Sequence, residues 1–425
     1  ITNIDDQIHA VDISLDIDKG KKVYVGEINM LGNVKTKDNV IRREFRLKEG
    51  EVFDGSKLKR SKQRINNLNY FEDVKIDTHR GKNPDLVDIL TTVTEKPTGT
   101  FNIGAGFSNV ENFIFTTSIA QNNLFGNGHR VNLTASLSSI RTDFNISLTE
   151  PRLFDSAISA GFDAFNNVND LLSFNMRTSG GGLRLGKNIT EYETVGLAYR
   201  YENVNVSGIL AAQETAFLQN GKRTTSRLNS NYIYDSRDNF LNPSQGWRHV
   251  LGFEFAGLGG MKFTRSVYEV TYYRPLIGKL VLGSHARVNF ADGYSGDTLP
   301  SFERYFMGGP TSLRGFTLQD VGPKASDGDP VGGNKSLLLN LELQYPLTKA
   351  IRGFVFYDRG NLYGTGADLS STSKDWDLGK MRHSIGAGFR FLSPMGPMGF
   401  AYGVKLDRRT GETTGQFHFS AGSAF

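Results

Sequence analysis

The sequence predicts a membrane all-β fold: a 16-stranded antiparallel transmembrane β-barrel preceded by an α+β domain of order β-α-α-β-β. Three observations carry this expectation. From Pro97 onward, apolar and polar residues alternate in about sixteen runs over 329 residues, and helical periodicity nearly vanishes. Long and short connections alternate between those runs. Before Pro97 the texture differs, with two helical patterns set between strand patterns.

Composition bounds the alternatives. A chain of 425 residues is too long for one ordinary core. Hydrophobic residues make up 38% before the 48 glycines are counted, so apolar content alone does not set the class. There is no Cys, which excludes disulfide scaffolds, zinc-thiolate sites and thiol catalysis. No stretch approaches about 18 consecutive apolar residues, so no transmembrane helix is expected. The mean hydropathy of −0.35 looks soluble, but a barrel hides its apolar residues in alternation. The net charge of +5, from 49 Lys+Arg against 44 Asp+Glu, is small and dispersed and does not imply nucleic-acid binding.

Residues 1–21 contain the alternating run Val11-Asp12-Ile13-Ser14-Leu15-Asp16-Ile17, a strand followed by the turn Asp18-Lys19-Gly20. It is expected to lack a partner in this chain, as the last strand of a preceding domain would. Residues 22–96 read as a compact unit. Val23, Val25, Ile28 and Met30 form a strand stopped by Gly32-Asn33. Thr36 is the expected cap of a helix over Lys37–Phe45, and Ser56 the expected cap of a second. Strands follow at Asp73–Thr78 and Leu86–Thr94.

Residues 97–425 form the expected barrel. Phe101, Ile103, Ala105 and Phe107 alternate with Asn102, Gly104 and Gly106; Val131, Leu133 and Ala135 alternate with Asn132 and Thr134. A period of two gives one apolar and one polar face. Long connections near 205–221, 293–335 and 363–380 follow the seventh, eleventh and thirteenth strands. Connections after even strands are short, as at Pro151–Ser156, Asp235–Gly246 and Ser393–Gly396. This is the asymmetry of outer-membrane barrels, with long loops outside and short periplasmic turns. Trp247, beside the turn Asn239–Gly246, reads as an interfacial anchor.

Catalytic motifs are missing from the sequence. Gly333-Asn334-Lys335-Ser336 lacks the first glycine of a phosphate loop, and there is no HExxH, GxSxG or calcium loop. His285 and His418 read as polar residues of the barrel wall. No enzyme, metal, cofactor or nucleotide is expected.

The longest loop holds Tyr305-Phe306-Met307-Gly308-Gly309 and then Leu313-Arg314-Gly315-Phe316. The second matches the (Val/Ile/Leu)-Arg-Gly-Phe motif in the sixth extracellular loop of the outer-membrane barrel-assembly family. Val321-Gly322-Pro323 downstream is also similar to that family. Residues 22–96, with Gly32-Asn33 and Arg42-Arg43-Glu44, resemble its polypeptide-transport-associated (POTRA) domains, which lie in the periplasm. Residues 1–21 resemble the tail of a preceding POTRA domain. The resemblance covers the whole chain. It implies that the loop folds back into the barrel, where a buried guanidinium needs carboxylate partners. Leu339, Leu341 and Leu343 face lipid by parity, so Glu342 faces the lumen; Val355 and Tyr357 face out, so Phe356 and Asp358 face in. These positions match the family's wall residues. The expectation is that Arg314 bridges Glu342 and Asp358, with Phe316 packed near Phe356.

The first strand, Phe101-Asn102-Ile103-Gly104-Ala105-Gly106-Phe107, must meet the last, which carries Phe417, Phe419, Gly422 and the terminal Phe425. Two readings of these glycines stand: relief of crowding in a curved wall, or a seam weak enough to open sideways. An opened seam exposes a strand edge that an incoming strand can complete. The alternating aromatic C-terminus resembles the recognition signal of outer-membrane barrels. The resemblance implies assembly and insertion of β-barrel proteins into the bacterial outer membrane. Its implied partners are unfolded outer-membrane proteins, lipoprotein subunits of an assembly complex and outer-membrane lipid, with no nucleic acid and no nucleotide. The alternatives are a two-partner secretion pore or an autotransporter-assembly relative of the same family. A diffusion porin, from a different class, would need no appended α+β domain.

Overall fold

The computed structural model describes residues 2–5, 10–13, 21–170, 174–209, 220–240, 242–324, 328–348, 350–364, 376–393 and 396–421. The chain divides into two compact units, residues 1–98 with the turn 123–128, and residues 99–122 with 129–425.

In the first unit, β1 (Thr2–Asp5) pairs antiparallel with β2 (Ala10–Ile13). This corrects the expectation that the run beginning at Val11 has no partner in the chain. The following elements are β3 (Tyr24–Leu31), α1 (Asp38–Arg42), α2 (Gly55–Asn67), β4 (Phe71–Arg80) and β5 (Leu86–Glu95). Their sheet order is β3-β5-β4, with β3 parallel and β4 antiparallel to β5. Val40 and Ile41 of α1 and Ile65 of α2 pack with Tyr70, Phe71, Val74 and Val93. Helix α1 is shorter than expected, and its cap position is Lys37, with no side-chain bond. Helix α2 is capped by Asp54, not Ser56. The Asp54 carboxylate accepts from Ser56 N at 2.8 Å and Lys57 N at 3.3 Å, satisfying two donors of the first turn.

The second unit is a barrel of sixteen described strands. They are β6 (Gly99–Ser108), β7 (Asn112–Leu124), β8 (His129–Leu137), β9 (Arg141–Glu150), β10 (Ile158–Asp170), β11 (Asn175–Asn188), β12 (Glu193–Ser207) and β13 (Gly221–Asp235). The second half is β14 (Gly246–Gly260), β15 (Phe263–Pro275), β16 (Val281–Gly293), β17 (Lys335–Pro346), β18 (Ile351–Tyr363), β19 (Arg382–Ser393), β20 (Gly396–Lys405) and β21 (Gly415–Ala421). Neighbours in sequence are neighbours in the sheet, and β21 returns to β6. The strand count and the antiparallel order agree with the sequence expectation.

Alternation sorts the side chains. On β17 and β18, Leu341, Leu343 and Val355 are exposed outward, whereas Gln344, Phe354, Phe356 and Asp358 are buried inward. Trp247 stacks on Tyr272, with ring centroids 4.0 Å apart, next to the short turn after β13. A large buried apolar cluster lies between the inner wall and the long loop after β16. Leu299, Tyr305, Met307, Leu313, Phe316 and Val321 of the loop meet Ala256, Phe263, Ala291, Leu338 and Leu362 of the strands. The barrel is therefore filled from inside by its own loop.

Candidate functional site: the internal loop and the seam

The loop joining β16 to β17 is folded on itself. Tyr305 and Gly333 exchange backbone hydrogen bonds at 2.8 and 2.9 Å, and Val321 N donates to Met307 O at 3.0 Å. Gly309 N donates to Phe316 O at 3.2 Å, which turns the tip back. Leu313 and Phe316 are fully buried and fix the tip against the wall.

Arg314 lies between β17 and β18. Its Nε and one terminal nitrogen donate to the two oxygens of Asp358, both at 2.7 Å, and its backbone N donates to the same carboxylate at 3.1 Å. Its other terminal nitrogen donates to Glu342. Arg390 of β19 also grips Glu342, at 2.8 and 3.0 Å. Two guanidinium groups thus face two carboxylates, which balances charge where solvation is poor. The Phe356 ring lies under the Arg314 guanidinium, 3.7 Å from its carbon to the ring centroid.

Phe316 sits elsewhere than expected. Its ring has Arg382 at 4.8 Å and Lys405 at 5.1 Å, and it belongs to the loop cluster with Leu313 and Val321. Phe356 clusters instead with Phe354 and Ala401. The backbone turn at Gly315 sends residues 314 and 316 to different parts of the wall. Arg382 in turn holds Asp407 and Glu412 of the loop before β21. Its hydrogen bond keeps the Glu412 carboxyl down at about 2.

Gly315 has φ +86, a left-handed conformation suited to glycine. A Cβ there would lie 3.0 Å from the carbonyl carbon of Gly403 on β20, so the two backbones touch. Gly315 N donates to His418 Nε2 of β21 at 3.0 Å. The loop tip therefore contacts β17, β18, β20 and β21.

A second anchor was not drawn from the sequence. Glu303 is buried and accepts from Arg227 of β13 at 2.6 Å and from Arg265 of β15 at 3.0 Å. Arg227 also donates to Glu202 of β12 and, at 2.7 Å, to Glu254 of β14. Strand parity carried a usable sign of this. Tyr201, Leu228 and Phe253 face outward, so their neighbours Glu202, Arg227 and Glu254 face in. The loop is thus held by two buried ion-pair networks, one that takes its cation Arg314 and one that takes its anion Glu303.

The seam is the other notable feature. Strand β6 pairs with β7 along its whole length, from Gly99 with Gln121 to Ser108 with Asn112. Its pairing with β21 among the described residues is confined to Ser108 with Ser420 and Phe107 with Ala421. Asn109 extends this contact. Its N donates to Phe419 O at 3.2 Å, its Nδ2 to Phe417 O at 2.8 Å, and its Oδ1 accepts from Phe419 N at 3.2 Å. Phe107 and Phe419 bring their rings within 6.0 Å. Phe101, Asn102, Ile103, Gly104 and Ala105 are exposed, and Gly106 is buried. Phe417 is exposed. Gly422 and Phe425 lie outside the described residues.

Residues 123–425 match the Omp85 superfamily domain, and residues 23–96 match POTRA, described as a surface antigen variable number repeat. Outer membrane protein assembly factor BamA of Nitratidesulfovibrio vulgaris is 33% identical over 98% of this chain and 53% of its own length. The protein of the same name from Neisseria meningitidis serogroup B is 30% identical over 98% of this chain and 58% of its own. The chain thus spans somewhat more than half the length of these curated relatives. The crystal structure of BamA from Haemophilus ducreyi lacking POTRA domains 1-3 shares the fold at a TM-score of 0.88. That match has 24% identity and covers 99% of this chain and 88% of that one.

Proposed function

The chain belongs to the Omp85 superfamily, and from that premise we propose that it assembles and inserts β-barrel proteins into the bacterial outer membrane. The observation that carries the reading is that the barrel closes through its first and last strands, β6 and β21, which meet at Ser108 with Ser420 and Phe107 with Ala421. An edge left unpaired in lipid costs several kcal/mol per polar group, so an opened seam strongly favours an incoming strand. Such a strand would add to Phe101–Phe107 by β-augmentation, through backbone groups that every client possesses. Sequence-tolerant recognition is what an assembler of many different barrels requires.

The other parts take their places around that edge. Residues 22–96 are the periplasmic domain and offer a docking surface for clients and lipoprotein subunits. Residues 97–425 are the barrel. The internal loop fills the lumen and ties the wall together near the seam, which argues against an open diffusion pore. Folding a barrel into a bilayer is downhill, so the protein lowers a barrier and needs no nucleotide.

The test is a folding rate. The full-length protein is placed in liposomes, an unfolded outer-membrane barrel protein is added, and its folding is followed without nucleotide. Clear acceleration over empty liposomes is expected. No acceleration combined with steady ion conductance would overturn the reading in favour of a secretion pore.

A further inference from the structure

Taking the seam as a gate, we propose that His418 is the positioning residue through which the internal loop holds the last strand, so that the seam opens only after the Gly315–His418 hydrogen bond breaks. The geometry is direct. Gly315 N donates to Nε2 at 3.0 Å. An imidazole nitrogen that accepts carries no proton, so the ring is neutral with its proton on Nδ1. His418 is 4% exposed, while its neighbour Phe417 is 49% exposed. Alternation along β21 therefore turns the imidazole inward to the loop and the phenyl ring outward.

The stretch of β21 that carries His418 is gripped from a second direction. Asn109, at the end of β6, bonds the backbone of Phe417 and Phe419 with its carboxamide. Residues 417–419 are thus held sideways by the first strand and inward by the loop tip. A cavity of about 250 Å³, lined by Asn109, Gln416, His418, Pro310 and Leu318 among others, adjoins both grips.

The loop tip cannot follow a departing strand. Three hydrogen bonds to Asp358 fix Arg314, and the adjoining Gly315 backbone rests on Gly403. If β21 swings away, the Gly315 N–H stays behind, buried and without its acceptor. The latch thus gives the arginine motif a role at the gate: Arg314 secures the tip to β17 and β18, and Gly315 secures β21 to the tip.

The test compares full-length variants in liposomes. His418→Gln places an acceptor where Nε2 lies; His418→Asn is too short to reach; His418→Leu has no acceptor. Two readouts are taken, hydrogen exchange of the 310–318 segment and the rate of disulfide formation in a Phe107→Cys/Ala421→Cys background. Leu and Asn are expected to speed exchange by up to about tenfold, the worth of one buried hydrogen bond, and to slow the cross-link. Gln is expected to behave as the parent on both. The proposal is overturned if Leu and Asn leave both readouts unchanged, or if Gln behaves like Leu. Should the Leu variant fail to fold, the Asn and Gln pair decides by the same criteria. The gate reading fails separately, if client assembly persists with the seam cross-linked, and the exchange result does not depend on it.

Discussion

Asp358 receives three hydrogen bonds from Arg314, one from its backbone and two from its guanidinium, and is itself fully buried. One carboxylate on the wall thereby fixes both the position and the orientation of a loop residue. A point charge on a flexible stem could not do this, because the planar fork matches the carboxylate in two places.

Arg314→Ala should leave Asp358 buried without its cation. Breaking a buried pair in this way costs about 3–5 kcal/mol, less where water enters. Arg314→Lys keeps the charge but cannot span Asp358 and Glu342 with the same fork, and should fall between Ala and the parent. Guanidinium unfolding of the purified barrel reads both. Equal stability of all three proteins would remove the clamp from the account.

Glu303→Gln should loosen the opposite clamp. The charge count alone predicts little harm, since Glu202 and Glu254 would remain for Arg227 and Arg265. Geometry predicts otherwise, because among the described residues it is Glu303 that lies within ion-pair distance of Arg265, at 3.0 Å. The expected cost is about 1.5–3 kcal/mol, with faster hydrogen exchange over 299–307. Adding Arg265→Met should cost less than the sum of the two single changes.

Gly315→Ala and Gly403→Ala attack one contact from its two sides. A Cβ on Gly403 would lie 2.6 Å from Gly315 N and forces the tip off the wall, whereas a Cβ on Gly315 meets the Gly403 carbonyl carbon at 3.0 Å and asks for a smaller shift. Gly315→Ala also carries the strain of φ +86, about 1–3 kcal/mol more. Thermal gel-shift midpoints should fall for both, and further for Gly315→Ala. A larger fall for Gly403→Ala would mean that the clash dominates and the strain is small.

The Glu412–Arg382 pair should survive acid. Its folded carboxyl lies at about 2 because Arg382 hydrogen bonds to it, below the roughly 4.3 of a free glutamate. A depressed acid contributes stability that is fully present above its unfolded value and is lost as pH falls through its folded one. Hydrogen exchange over residues 406–414 should therefore stay constant from pH 7 to about 5 after correction for intrinsic rates. It should then rise as the pH falls from about 4 towards 2. Arg382→Gln removes the depression, so exchange there should already be faster at pH 7 and should lose most of the rise on acidification.

The barrel was legible in the sequence because its period of two is enforced by lipid outside and polar lumen inside. Leu341 and Leu343 face outward, so Glu342 must face in, and no tertiary knowledge is needed. The loop tip offers no such period. Phe316 lies between Arg382 and Lys405 and not near Phe356, since a single left-handed residue at 315 redirects the chain. The Glu303 anchor depends on which wall a 40-odd-residue loop meets, and that is set by closure of the whole barrel. At α2, Asp54 takes the cap because its extended backbone lets the carboxylate reach two N–H groups, while Ser56 is already inside the helix. The partner strand β1, Thr2–Asp5, lay outside the alternation that marked residues 11–17.

The most direct test of the central claim is the folding rate of an unfolded outer-membrane barrel protein in liposomes holding the Phe107→Cys/Ala421→Cys protein. Residues 1–425 contain no cysteine, so no other thiol of this stretch competes for the cross-link. Acceleration should disappear when the seam is oxidised and return on reduction. Equal acceleration in both states would contradict an assembly mechanism that works through the opening of this seam.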